Sequence, residues 1–207
     1  YDFNLNSRGD LPAEGDLDVS VVNIEENADR EPVNYVLPPG VTRIVDPGQS
    51  QITQLNEQSL SLKVTGLQAG DGRGVYRDTQ HDLRNYKRLQ MWVHAERLID
   101  DVTNLKSGEL SMFIRLGSDV KNNFYEYEIP LVLTPHGRYN NYVETDRDKV
   151  WPIENFMDLQ LQNLVELKKE RNRAKAAEGS NVGYATLYTS RDPDNERNRM
   201  AVKGNPS

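Results

Sequence analysis

Between residues 108 and 133 the side chains alternate, and the alternation leaves little choice of architecture. Gly-Glu-Leu-Ser-Met-Phe-Ile-Arg-Leu is followed by a short Gly/Ser/Asp/Lys/Asn turn and then by Phe-Tyr-Glu-Tyr-Glu-Ile-Pro-Leu-Val-Leu. Leu110, Met112, Ile114 and Leu116 fall on one side of the first run. Tyr125, Tyr127, Ile129, Leu131 and Leu133 fall on one side of the second. Successive side chains on a strand point to opposite faces, so the pattern is that of two antiparallel strands, each with one buried face.

The same period recurs elsewhere. Residues 58–65 place Leu60, Leu62 and Val64 on one face. Residues 86–95 turn Leu89, Met91, Val93 and Ala95 inward, with Arg88, Gln90, Trp92 and His94 on the other side. Shorter strands are predicted over 17–24, 183–190 and 200–203. The period changes after Trp151-Pro152. Leu161, Leu164, Val165 and Lys168 follow helical spacing, with Asp158 as the expected N-cap, basic residues toward the end and Gly179 as the expected C-cap. One amphipathic helix is expected over 159–177. Residues 66–85 and 134–150 read as polar loops, the first a flexible connection between sheets. Pro32, Pro38, Pro39 and Pro47 punctuate the beginning of the chain. The fold class is therefore mainly β, an antiparallel β-sandwich of jelly-roll kind with one helix in the last third. Its expected limits are 51–207, preceded by an extended, irregular flank at 1–50.

Composition narrows the function. The net charge is −7 and the chain lacks cysteine. The acidic balance argues against nucleic acid or an anionic lipid surface as main partner. The missing cysteines exclude disulfides, zinc-thiolate sites and thiol nucleophiles. No apolar run is long enough for a transmembrane helix, so this stretch is not expected to span a membrane itself. Hydrophobic residues make up 36% of the chain, below the globular norm, so part of it is expected to pack poorly by itself. The first residues, Tyr-Asp-Phe-Asn, and the last, Met-Ala-Val-Lys-Gly-Asn-Pro-Ser, read as internal boundaries of a longer protein.

Candidate sites are few. Glu126 and Glu128 project from one face of one strand, about 7 Å apart at the strand rise. That separation fits a glycosidase carboxylate pair, but an outward polar face paired with Arg or Lys across the sheet accounts for it better. His81, His94 and His136 do not share a ligand spacing, and neither H-x-H nor H-E-x-x-H occurs. No G-x-S-x-G elbow is present. Gly70-Asp71-Gly72-Arg73-Gly74 lacks the Lys-Ser/Thr end of a phosphate loop, and a calcium site from Asp71, Asp78 and Asp82 matches no EF-hand spacing. Trp92, Tyr86, Phe113 and Phe124 are candidates for an aromatic platform that stacks sugars. Arg8-Gly9-Asp10 matches an adhesion tripeptide of common residues. No enzyme activity, cofactor or metal is expected of such a chain, apart from a weak calcium candidate. The candidates for ligand or partner contact are Trp92, Phe113, Phe124, Glu126 and Glu128.

Three segments carry a resemblance. Arg115-Leu116-Gly117-Ser118-Asp119 followed by Asn122-Asn123-Phe124-Tyr125-Glu126-Tyr127-Glu128 is one, and Leu89-Gln90-Met91-Trp92-Val93-His94-Ala95 is the second. The third runs from Asp148-Lys149-Val150-Trp151-Pro152 to Leu164-Val165-Glu166-Leu167-Lys168-Lys169-Glu170-Arg171-Asn172. In order and spacing they resemble an internal region of the SprA/Sov family, very large cell-surface proteins of Bacteroidetes, over about residues 55–205. The resemblance implies a soluble domain of the outer-membrane translocon of the type 9 secretion system. That translocon is a wide β-barrel that also supports gliding motility. The domain would lie at the cell surface or the periplasmic face, with translocon subunits, secreted cargo or glycans as partners. No catalytic residue carries over. A carbohydrate-binding sandwich is the alternative.

Overall fold

A computed structural model describes residues 2–6, 15–41, 57–79 and 82–206. The chain divides into two compact units, one formed by Tyr1–Arg30 and Asn34–Asp82, the other by Glu31–Val33 and Leu83–Ser207.

The first unit is built from antiparallel ribbons. Strands β1 (Asp2–Asn6) and β2 (Asp16–Asn23) come first, followed by the single-turn helix α1 (Ile24–Asn27). Asn23 caps α1: its Oδ1 accepts the Glu26 N–H at 2.9 Å, with Glu25 and Glu26 in the first turn where the helix dipole favours acid. Strand β3 (Gln58–Thr65) pairs with β2, and β4 (Asp71–Val75) pairs with β1. The glycine-rich 70–74 segment is thus largely a paired strand and not a flexible connection. Its partner lies more than sixty residues away, and Asp-Gly-Arg-Gly-Val has no apolar period to announce it. Tyr35, Val36 and Leu37 are buried. The Tyr35 hydroxyl donates to Glu57 at 2.5 Å and lies 2.7 Å from Ser59 Oγ.

The second unit contains a four-stranded antiparallel sheet in the order β6-β7-β10-β9. Strand β5 (Arg88–Trp92) leads to β6 (Ser111–Asp119) and β7 (Asn123–Pro130), the hairpin expected from the alternation. Met112 lies opposite Ile129, Ile114 opposite Tyr127 and Leu116 opposite Tyr125, so both apolar rows share one face. Where β6 closes on β7, Gly117 is required by proximity: a Cβ there would lie 2.2 Å from the Asn123 carbonyl oxygen. Helix α2 (Glu144–Val150), strand β8 (Phe156–Gln160) and helix α3 (Leu161–Ala176) follow. Strands β9 (Tyr188–Arg191) and β10 (Arg199–Lys203) complete the sheet. β8 pairs with β5, and this ribbon together with α3 forms the layer opposite the sheet. Tyr127, Ile129, Met157, Leu159, Leu167 and Val202 are all at most 1% exposed in the core between them. The fold is mainly β, antiparallel and sandwich-like, with one long helix.

Two local expectations change. Asp158 is not an N-cap but a residue of β8, because Met157 and Leu159, both fully buried, keep the strand period through residue 160. The outward Asp158 carboxylate instead accepts from Arg88 Nε at 2.9 Å. α3 accordingly starts at Leu161, whose N–H bonds to Lys87 O at 3.0 Å. Residues 134–150 are not wholly loop, because α2 occupies the end of that segment. Its sequence, Glu-Thr-Asp-Arg-Asp-Lys-Val, buries only Val150 and so shows no helical apolar stripe.

Candidate functional site

The outer face of the four-stranded sheet holds most of the residues singled out by sequence. Register places Arg115 opposite Glu126 across β6–β7, and Glu128 opposite Arg199 across β7–β10. Arg115 Nε donates to Glu126 Oε2 at 2.7 Å, and Arg199 Nη2 donates to Glu126 Oε1 at 3.0 Å. Arg199 Nε reaches Glu128 Oε2 at 2.5 Å, and Arg115 Nη1 donates to Val120 O at 2.5 Å. The arginine pairing expected from sequence is present, but Glu126 is not solvated: it is 4% exposed. Two guanidinium groups close over it from the flanking strands, and both carboxylate oxygens are occupied by charge-assisted hydrogen bonds.

Phe124 is likewise covered, at 2% exposure, with the Arg115 guanidinium 3.9 Å from its ring centroid. It offers no free face for stacking a sugar. Phe113 lies 5.4 Å from the same guanidinium. Trp92 belongs to the β5–β8 ribbon, where its ring centroid is 4.6 Å from that of Phe156. Tyr86 is 58% exposed and lies outside every strand. The four aromatics are therefore not brought together as one platform.

The described histidines serve local structure. His94 Nδ1 lies 2.9 Å from Val150 O and Nε2 3.2 Å from Glu96 Oε2, joining the end of β5 to the end of α2. His136 Nε2 lies 2.9 Å from Arg97 O. His81 and Arg8-Gly9-Asp10 lie outside the described residues. Among those described, no three His, Cys, Asp or Glu side chains converge as a metal site. Asp71 sits in β4.

A second polar cluster, which no sequence motif marks, joins β7, α3 and the β9–β10 turn. Tyr127 Oη donates to Asp192 Oδ2 at 2.5 Å and accepts from Asn198 Nδ2 at 2.8 Å. Asn163 Nδ2 donates to Asp192 Oδ1 at 3.1 Å, linking α3 to the β9–β10 turn. Burial first, then the hydrogen bond to Asp192, push the Tyr127 phenol well above its ordinary value of 10.0.

An exposed apolar row lies on the β2–β3 ribbon. Register sets Leu17 opposite Val64, Val19 opposite Leu62 and Val21 opposite Leu60, six apolar side chains on one face. Val19, Val21, Leu60 and Leu62 are 41–59% exposed. Isolated exposed leucines need no explanation, whereas a continuous apolar row does. The alternation of Leu60, Leu62 and Val64 on one face of a strand is legible in the sequence. Exposure was the missing information.

A family profile described as motility related/secretion protein, SprA_N, matches residues 3–207. The chain belongs to the SprA_N family. No curated protein matches it. The SprA_N match takes in the early strands β1 and β2 as well as the 55–205 segment that carried the resemblance, so the exposed ribbon is part of the family domain. As a SprA_N domain the chain is tied to motility and secretion, and no helix among its described residues is long and apolar enough to cross a membrane.

Proposed function

We propose that this chain is a non-enzymatic structural and docking domain of a SprA/Sov-like translocon, serving type 9 secretion and gliding motility at the outer membrane. The observation that carries the docking part is the exposed apolar row of the β2–β3 ribbon. A two-stranded ribbon is marginal by itself in water, and this one leaves apolar side chains uncovered that another component would bury. The family supports a role in secretion, and the second unit supplies a packed scaffold. Other translocon subunits and secreted cargo are the partners it would engage. The carboxylates Glu126 and Glu128 are held by arginines, which fits a sheet-stabilising task better than an acid–base one.

The test is made in the full-length parent protein in cells. Val21→Asp combined with Leu60→Asp puts two charges on the row without touching the second unit. Export of a reporter cargo is expected to fall at least tenfold (about 1.4 kcal/mol per decade) with the level of the parent protein unchanged. Undiminished export in the double variant overturns the docking role. A single cysteine at Val21 or Leu60, with no other cysteine in these 207 residues to compete with it, also allows crosslinking from the row to what covers it. Glycan binding lost with Trp92→Ala would favour a carbohydrate-binding module instead.

A further inference from the structure

We draw no further inference here: the strongest candidate, the exposed apolar face of the β2–β3 ribbon, belongs to the contact surface already proposed, and nothing in the structure shows what covers it.

Discussion

Glu126 shows how much a single position depends on its neighbours. A carboxylate buried in a sheet is costly unless its charge is matched, and here Arg115 and Arg199 match it from both sides. Arg115→Ala removes one match, uncovers Phe124 and frees the Val120 carbonyl, so unfolding in urea should show a loss of about 3 kcal/mol. Glu128→Ala, whose carboxylate pairs with the partly exposed Arg199, should cost less than about 1 kcal/mol. Equal losses would mean that Glu126 is not the centre of the network. Tyr127 carries a separate, pH-dependent prediction. Its phenol keeps its proton to higher pH folded than unfolded, as does Tyr35, raised first by burial and then by Glu57. Tyr125 and Tyr139 shift the same way through burial. The stability these groups contribute is complete below about pH 10, the unfolded value, and is lost as pH rises beyond it. Tyr127→Phe should cost about 1–3 kcal/mol at neutral pH by leaving Asp192 and Asn198 short of a partner. It should also flatten the alkaline decline by about 1.4 kcal/mol per pH unit. An unchanged slope would show that Tyr127 ionises alike in both states.

At the level of elements, α3 is held by a narrow contact. Leu164, Leu167 and Arg171 are its buried residues, while Val165 is 41% exposed. Arg171 Nη1 donates to Gly204 O at 2.8 Å and Lys168 Nζ to Pro206 O at 2.5 Å, tying the segment after β10 to the helix. Leu167→Ala should destabilise the second unit by about 3 kcal/mol through lost burial and a residual cavity, and Val165→Ala by less than about 0.5 kcal/mol. Comparable effects would place the buried face elsewhere on the helix. The sheet elements were the most legible part of the sequence, because strands β3, β6 and β7 each carry a period-2 row long enough to define a face. β4, α2 and the entry into α3 were not. β4 and α2 have no apolar period, and Asp158 is a strand residue whose type merely suits a cap. Asn155 shows a further limit: its side chain bonds both the N–H and the C=O of Val132, at 2.7 and 2.8 Å, as a neighbouring strand would. Nothing in the sequence marks an asparagine for that task.

For the whole molecule, the two units predict unequal responses to mutation. Changes on the β2–β3 apolar row should leave the melting of the second unit within about 1 °C of the parent, since exposed substitutions shift stability little. Changes at Leu167 or Arg115 should lower it by several degrees. Scanning calorimetry of the full chain checks both, and a row variant that melts the second unit would contradict the division. The sequence alone determined that this is an antiparallel, mainly β chain with one long helix, and which residues share a face on its longer strands. Side-chain alternation is a local property that survives any arrangement of the strands. Particular residue motifs around β5, β6–β7 and α3, in their order and spacing, carried the SprA/Sov resemblance. Only the tertiary structure decided which faces are covered. Leu110 to Leu116 and Leu60 to Val64 alternate alike, yet the first row packs into a core and the second stands largely exposed. Glu126 and Phe124 sit on the polar-looking face of their strand and are nevertheless buried. Burial depends on what arrives from distant parts of the chain, here two arginines from neighbouring strands, and no local pattern encodes that arrival.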